Sequence, residues 1–452
     1  MSRCLTRQII AALYIQYSYY FNSYIYFNGL IMTAFRHALI VFAFLANMSP
    51  AFAADVPDDI SIRRETIDTI CSILRTEFFD PEMAGLDWDK MCQEAHVKVG
   101  IVKDDEQFRA IAASLPAALK TSHTAYYAPK DPDFAILYSV YGKLERFKEV
   151  TARHGGLPLL RGAGIFAKKV DGRVFIDNIL DGSPAEKAGL KEGDELVEPS
   201  QAVFAARWPD DKTEAEAKTA IVHFRRTPGG PIESRTVDLL SGDALQMLST
   251  ATEKSVRIIE RGGVKIGYLR GWTMLTRAET GGPAEVLRSA LNGEFADVSA
   301  VVFDARGRIG GGGIDILETY FGPRVVMSSK GQKNEQWLDH PVMPAGKPLI
   351  IIIDQHTRSA AEVMSYVAKR DKLALLVGSR TAGAVAGGSL FPLPDGGGLY
   401  VAVQALRTDG HVLEGQGVVP DVIVEGSLPY AGGADPQLDR ALEEAEKKAR
   451  ER

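Results

Sequence analysis

Three near-continuous apolar runs constrain the fold of this 452-residue chain more than any other feature of its sequence. They lie at residues 265–270, 298–304 and 348–354. Such runs are typical of strands that are buried on both faces of a sheet. Helix-forming segments separate or follow them, at residues 284–291 and 360–369. The strand–helix–strand order predicts an α/β layer with mainly parallel pairing, which we place at residues 243–430.

The chain is too long for one ordinary hydrophobic core, so we expect a multidomain α/β protein. Residues 54–130 repeat apolar positions every three to four residues in three stretches, which predicts an N-terminal helical cap domain. A connector rich in aromatic residues follows at 131–156, and a β-rich domain is predicted at 157–242. The charged segment 431–452 predicts a C-terminal helix with a solvated face.

The segment at residues 32–53 has the features of a secretory signal. A short polar region precedes an apolar run, and the segment ends on small residues that suit a signal peptidase, Ala51 and Ala53. We expect cleavage after Ala53 and export to the periplasm or out of the cell.

Residues 1–31, upstream of this signal, are then a mis-assigned start, with Met32 as the true initiator, or an unusual extension. A membrane anchor at residues 9–30 is the rival interpretation, but the many Tyr, Asn and Gln residues there weaken it. We therefore expect no stable membrane span after removal of residues 1–53.

Net charge and cysteine content exclude two kinds of binding. The net charge is −6 without a long basic run, which gives no reason to expect nucleic-acid binding. Cys71 and Cys92 remain after cleavage, and export to an oxidising compartment would allow them to pair, which the sequence leaves open. Two cysteines without a neighbouring histidine pair do not make a zinc site.

Ser359 follows the third apolar run after a short polar turn and opens the helical segment 360–369. Free backbone N–H groups at a helix N-terminus favour developing negative charge, so this position suits a nucleophile. The alternative is structural, because Ser359 and Glu362 also fit a capping box, which stabilises a helix without any chemistry. This segment alone does not decide between them.

Three further segments add to this candidate site. Four glycines at 310–313 follow the strand that ends at Asp304, and a glycine run lets the backbone approach a ligand closely. A phosphate-binding loop is only weakly indicated there, because the Lys and Ser/Thr of such a loop are missing. Another predicted strand is followed by Gly378, Thr381 and Gly383, and a Gly-Val-Val-Pro-Asp sequence begins at Gly417.

In this order and spacing, these segments resemble the catalytic core of the tail-specific, or C-terminal processing, serine peptidases. The resemblance implies a ClpP/crotonase-like α/β core with Ser359 as the nucleophile. It also implies an oxyanion hole built from the amide of Ala360 and one amide of the glycine run, Gly310 or Gly311. Together with the helical cap and the β-rich domain, the resemblance extends over nearly all of residues 55–424.

The β-rich domain itself resembles a PDZ domain of the bacterial protease type. Ser183 can cap a short helix that begins at Pro184 and ends at Gly189, within a Ser-Pro-Ala…Ala-Gly-Leu…Gly-Asp series. PDZ domains bind an extended peptide as an added strand. The resemblance implies that the peptide's terminal carboxylate binds the loop formed by Gly162, Ala163, Gly164, Ile165 and Phe166. The alternative is that these glycines only form a turn and that the domain only packs against the core or gates it.

One position departs from the larger branch of this family, which uses a Ser/Lys dyad. Its lysine directly follows the Thr-x-Gly motif, where this chain has Ala384. Lys369 and Lys372 precede the motif and lie on its wrong side. A Ser/Lys mechanism is therefore excluded on this alignment, and another base is required.

Ser122 and His123 resemble the Ser-His pair of the tricorn-like branch of the family. That resemblance implies His123 as the base, Ser122 as its hydrogen-bond partner, and Glu414 as the distant glutamate of a tetrad. A neutral His123 would remove the Ser359 proton, and the hydroxyl–carboxylate pair would fix its tautomer. His356 and His411 are competing candidates for the base, since both lie in turns that could border the site.

The predicted function is an exported serine endopeptidase that forms an acyl-enzyme and needs neither a metal nor a cofactor. Its substrate would be an unstructured protein tail, held through its C-terminus. A catalytically inactive peptide-binding protein with the same fold is the alternative, favoured by Ala384 and by Arg308 and Ile309 in the glycine loop. An acyl-CoA or small-lipid site is a less favoured third interpretation. The sequence does not indicate an oligomeric state.

Overall fold

The structure is a computed structural model that describes residues 59–211, 217–276, 281–307, 309–322, 325–331, 334–342 and 346–452. All of them belong to one unit, Pro57–Arg452. The predicted signal segment and its cleavage site lie outside the described residues. Within the described ranges, no helix has both the length and the apolar character of a membrane span.

Three helices form an N-terminal layer: α1 (Asp59–Glu77), α2 (Trp88–Val99) and α3 (Asp105–Ala118). They coincide with the three predicted amphipathic stretches, and their apolar faces pack on one another. Asp87 and Asp104 begin α2 and α3 by accepting amide hydrogen bonds with their side chains. A disulfide between Cys71 and Cys92 joins α1 to α2, which resolves the pairing that the sequence left open.

A three-stranded sheet connects this layer to the rest of the chain. Its strands are β1 (Ala125–Tyr127), β17 (Ala386–Pro392) and β18 (Gly398–Ala405), with β18 in the middle and both pairings antiparallel. Leu399 and Val401 of β18 are buried in the core of the helical layer. Since β1 begins two residues after His123, this pairing fixes the position of the Ser122–His123 loop.

The middle of the chain is rich in β-structure. Helices α4 (Pro132–Tyr141) and α5 (Lys148–Arg153) lead into it. One antiparallel sheet has five strands, which are, in spatial order, β3 (Ile165–Val170), β4 (Arg173–Ile179), β5 (Glu195–Leu196), β7 (Thr219–Arg225) and β8 (Glu233–Asp238). A second sheet has three strands: β6 (Ala205–Arg207), β2 (Leu159–Gly162) and β9 (Leu240–Gly242). The predicted short helix is present as α6 (Pro184–Lys187), capped by the Ser183 side chain.

A six-stranded sheet forms the centre of the last part of the chain, after helix α7 (Ala244–Ser255). Its strands, in spatial order, are β10 (Arg257–Arg261), β11 (Val264–Arg270), β12 (Ala300–Asp304), β15 (Leu349–Ile353), β16 (Leu375–Gly378) and β19 (Val422–Ile423). All pairings from β11 to β19 are parallel, and every residue of β12 and β15 is buried. The predicted parallel layer is therefore confirmed.

Helices cover both faces of this sheet, because successive strand residues point to opposite sides. One face packs against α8 (Pro283–Asn292), α9 (Asp315–Phe321) and α10 (Ala360–Arg370). The other face packs against α11 (Pro436–Arg450), which buries Ala441, Leu442 and Ala445. The C-terminal helix thus has the predicted solvated face and also a buried one. A separate antiparallel hairpin consists of β13 (Val325–Gly331) and β14 (Asn334–Val342).

Candidate active site

Ser359 lies at the turn between β15 and α10 with a backbone φ of 57° and ψ of −124°. Residues that carry a β-carbon rarely adopt a positive φ, and such a conformation persists only where the surroundings enforce it. The Ser359 amide donates to the Ala384 carbonyl oxygen (2.9 Å) and to Glu362 Oε2 (3.2 Å). An N-cap serine normally has extended backbone, so helix capping alone does not require this conformation.

Glu362 fixes the turn of Ser359 from inside the protein, where its side chain is fully buried. Its Oε1 accepts hydrogen bonds from Thr381 Oγ1 (2.6 Å) and the Gly383 amide (2.7 Å), and its Oε2 accepts one from the Ala384 amide (2.7 Å). A buried carboxylate with this many donors is well compensated for the loss of water. The Thr-x-Gly motif is thereby tied to Ser359.

The sequence indicated Glu362 only as a possible capping partner, and its organising role was missed. The available signal was its position in an apolar stretch, between Ala361 and Val363, in a helix that follows a buried strand. An ionisable residue is rarely fully buried unless it is paired or hydrogen-bonded.

The glycine run lies directly against Ser359. A β-carbon at Gly310 would lie 2.4 Å from Ser359 Cβ and 3.0 Å from the Ala360 nitrogen, so a larger residue does not fit. The amide of Met274 holds the run in place by donating to the Ile309 carbonyl oxygen (3.1 Å). In the described part of the chain, no protein group accepts a hydrogen bond from the amides of Gly310, Gly311 and Ala360. These N–H groups are therefore available to an oxygen of a bound molecule.

Ser122, His123 and Glu414 form a continuous hydrogen-bonded relay. The Ser122 hydroxyl lies 2.7 Å from Glu414 Oε2 and 2.8 Å from His123 Nδ1. An ionised carboxylate can only accept, so the hydroxyl donates to Glu414 and accepts from His123 Nδ1–H. This leaves His123 Nε2 with a free lone pair. The Glu414 carboxylate also accepts from the amides of Ser122 and Val385, both at 2.7 Å.

The imidazole of His123 is buried, with 7% of the residue exposed, and packs beside the Tyr400 ring with 5.3 Å between ring centroids. Burial, and then the positive charge of Arg358, lower the pKa of His123 from 6.5 to about 4. His123 is therefore neutral near pH 7 and able to accept a proton.

Ser359, His123, Gly310 and Gly311 all line one cavity of about 320 Å³. Apolar side chains of α4 form part of its wall, including Ile136, Leu137 and Val140. The structure thus brings together Ser359, the relay and the free amides, although no direct hydrogen bond joins Ser359 to His123 in the described residues. The cavity combines a hydroxyl at a strained turn, a neutral imidazole and unpaired amide donors.

The other candidate bases lie outside this cavity. The position where a Ser/Lys dyad would have its lysine is taken by Ala384, which is buried. The nearest lysines in sequence, Lys369 and Lys372, line a different cavity. His356 contacts Asp354 and Asp177 at 3.0 and 3.2 Å and also lines a different cavity. His411 is exposed in a turn.

The predicted carboxylate-binding loop of five residues is buried: Gly162, Ala163, Gly164, Ile165 and Phe166. The Ala163 amide already donates to the Ala202 carbonyl oxygen (2.8 Å), and the Ile165 carbonyl oxygen accepts from the Phe204 amide. In this arrangement the Ala163 amide is therefore not available to a peptide carboxylate. The assignment stays a prediction.

The described residues offer no metal centre beside this site. Among them, no group of three or more His, Cys, Asp or Glu side chains is arranged to hold a metal ion.

Comparisons with known proteins agree with the geometry. Residues 265–424 match the family model described as peptidase family S41. The chain is 22% identical to carboxyl-terminal-processing peptidase 3, chloroplastic, of Arabidopsis thaliana, over 84% of this chain and 72% of that protein. It is 26% identical to a carboxyl-terminal-processing protease of Picosynechococcus, over 73% and 81%. It is 25% identical to putative tricorn protease homolog 2 of Streptomyces coelicolor, over 84% and 32%.

Proposed function

The chain belongs to peptidase family S41 and is a serine peptidase, and from this premise we propose that it is an exported endopeptidase acting on unstructured protein tails. The proposed mechanism uses a tetrad of Ser359, His123, Ser122 and Glu414. The observation that carries the proposal is the relay from Glu414 through Ser122 to His123, because it ends in the cavity that Ser359 lines.

The first half of the reaction forms an acyl-enzyme. Ser359 Oγ attacks the carbonyl carbon of the scissile peptide bond while His123 Nε2 takes the hydroxyl proton. The imidazolium then gives this proton to the leaving amine as the C–N bond breaks, and an ester of Ser359 remains. The hydrogen bond between Ser359 and His123 would form when substrate binds. Catalytic hydrogen bonds are often long or poorly aligned in unliganded active sites and tighten only in the complex.

The second half releases the acyl group by hydrolysis. A water molecule attacks the ester carbonyl carbon and gives a proton to His123, and the imidazolium returns a proton to Ser359 Oγ as the ester bond breaks. The products are an amine and a carboxylic acid, and the enzyme is unchanged. The Ser122 hydroxyl and the Glu414 carboxylate stabilise the imidazolium in both halves, which opposes, without cancelling, the burial that disfavours its charge.

Negative charge on the carbonyl oxygen is stabilised by backbone donors. The unpaired amides of Gly310 or Gly311 and Ala360 flank Ser359, and Ala360 is also at the start of helix α10. Amide donors that are already fixed before the reaction cost no reorganisation when the charge develops.

The substrate class rests on the relatives and on the architecture. Two relatives are named as carboxyl-terminal-processing enzymes, and the third is named as a tricorn protease homolog. We assign residues 54–130 as a helical cap, 157–242 as a PDZ-like domain and 243–430 as a ClpP/crotonase-like core. A PDZ-like domain in the same chain would hold the end of an extended polypeptide while a more distant bond enters the cavity.

Export is part of the proposal. It is supported by the signal-like segment at residues 32–53 and by the disulfide between Cys71 and Cys92, since structural disulfides are typical of oxidising compartments. The relative from Arabidopsis is itself named as chloroplastic.

A fluorophosphonate probe, which reacts with activated serines, tests the proposal. Wild-type protein should be labelled and should cleave a reduced, unfolded protein, whereas Ser359→Ala should do neither. Ser365→Ala is a matched control, because Ser365 lies on the same helix with its hydroxyl bonded to the Ala361 carbonyl oxygen. Equal labelling of wild type and Ser359→Ala would reject Ser359 as the nucleophile.

A further inference from the structure

Arg358 directly precedes Ser359 and lines the same cavity. It is half-buried, and within the described part of the chain its guanidinium makes no hydrogen bond or ion pair. An arginine side chain carries five N–H donors, and those held away from water need a carboxylate or carbonyl oxygen as a partner, because an unpaired buried cation is costly. The unpaired guanidinium of Arg358, beside Ser359, is therefore available to a negative group of a bound molecule.

No other lysine or arginine lines the described part of this cavity. Asp133 on α4 also lines this cavity and has an interaction of its own. The rest of the wall is largely apolar, with Leu137 and Val140 of α4 on one side. A substrate that fills the cavity thus meets apolar surface and one unpaired positive charge.

The charge of Arg358 also acts on the base. After burial, Arg358 is the second cause that holds the pKa of His123 at about 4, because a nearby cation disfavours the imidazolium. A negative group paired with Arg358 would cancel this repulsion at the moment when His123 takes the Ser359 proton. Pairing would therefore favour both binding and reaction.

We propose that Arg358 is a specificity residue that binds a carboxylate of the substrate close to the scissile bond. The preferred substrates are peptides that carry either an Asp or Glu side chain or a free C-terminal carboxylate within a few residues of that bond. A guanidinium donates two parallel hydrogen bonds to a carboxylate. A neutral amide of similar size in place of that carboxylate, such as Gln in place of Glu, does not reproduce this bidentate pair. This inference rests on the proposed function, because it requires that the cavity accepts a peptide.

Matched peptides test the proposal by hydrolysis. One series moves a single Glu through the positions flanking an apolar residue, a second replaces it with Gln, and a third compares a free C-terminus with an amide. For wild type, kcat/KM should be about 10- to 100-fold higher for the best carboxylate-bearing peptide than for its neutral counterpart. Arg358→Gln should remove this preference and Arg358→Lys should keep part of it. The exposed Arg153→Gln should behave as wild type.

Binding to a Ser359→Ala background separates this proposal from the proposed function. Affinities for the Glu and Gln peptides, and for the acid and amide peptides, are measured with and without Arg358→Gln. A carboxylate preference that depends on Arg358 supports the inference even if the wild-type protein proves inactive, an outcome that would reject only the peptidase mechanism. Equal affinities for all four peptides, with normal hydrolysis by wild type, would overturn the inference and leave the peptidase mechanism standing.

Discussion

The Ser122 hydroxyl donates a 2.7 Å hydrogen bond to Glu414, a residue 292 positions further along the chain. The same carboxylate accepts two backbone amides, so its position is fixed before any substrate arrives. The bond joins the loop after α3 to the segment before β19. The orientation of His123 therefore depends on correct docking of the N-terminal helical layer against the rest of the chain.

Removing either relay partner should lower kcat and leave KM nearly unchanged, because neither side chain reaches the cavity lining. Ser122→Ala and Glu414→Gln should each reduce kcat by roughly 10²- to 10⁴-fold, the usual contribution of a positioned base. Steady-state kinetics checks this, with Ser114→Ala on the exposed side of α3 as the control. A rise in KM at constant kcat would contradict the positioning role.

For a neutral peptide, kcat/KM should fall on acidification with a midpoint near pH 4. The base must be unprotonated to act, and burial followed by Arg358 lowers the pKa of His123 to about 4. Activity should thus stay constant on acidification from pH 7 to about 5 and fall by half near pH 4, in a profile that reports the free enzyme. Tryptophan fluorescence at each pH should confirm that the protein stays folded. An acid limb near the unperturbed value of 6.5 would contradict the assignment.

Gly310→Ala should abolish most of the activity without unfolding the protein. The added methyl group would lie 2.4 Å from Ser359 Cβ, so Ser359 or the glycine run must shift. A displaced oxyanion donor costs about 10²- to 10³-fold in kcat. Gly426→Ala is the control, since a β-carbon there meets no atom within 4 Å. Similar kcat values for the two variants would show that the Gly310 contact is not important.

Stability should depend on the ion pairs of His356. Burial alone would lower its pKa, but hydrogen bonds to Asp177 and Asp354 outweigh burial and raise the pKa to about 9. Because the pKa of His356 is higher in the folded state, its charge stabilises the fold fully at pH values below about 6.5, the pKa in the unfolded state. This contribution is lost as the pH rises through about 9. Asp177→Asn should therefore cost about 2 kcal/mol of unfolding free energy at pH 6 and much less at pH 10.

Chemical denaturation at the two pH values measures this difference. Asp171→Asn, an exposed change on the turn between β3 and β4, serves as the control. An equal loss of stability for Asp177→Asn at both pH values would exclude the charged form of His356 as the cause.

Much of the architecture was predictable because it follows from local pattern. Residues 300–303 are all apolar, so a strand buried on both faces was the consistent interpretation, and β12 is such a strand. The amphipathic spacing of residues 88–99 likewise predicted α2 with its bounds. The proximity of Ser122, His123 and Glu414 came only from resemblance to a family, since nothing local relates residues so far apart.

The remaining features depend on contacts between distant segments. Glu362 looks like a capping residue locally, and its role appears only when the Thr381–Ala384 loop folds over it. The buried face of α11 needs the sheet on which it packs, and the charge-rich sequence hides it. The burial of residues 162–166 arises from pairing with the segment around Ala202 and Phe204, which the local glycine pattern does not reveal.

The most direct test of the tetrad is the rate at which wild type and His123→Ala cleave an unfolded protein at pH 7, with His411→Ala as the matched control. We expect His411→Ala to cleave at the wild-type rate and His123→Ala to lose roughly 10²- to 10⁴-fold in kcat while remaining folded. Equal rates for wild type and His123→Ala would contradict the tetrad.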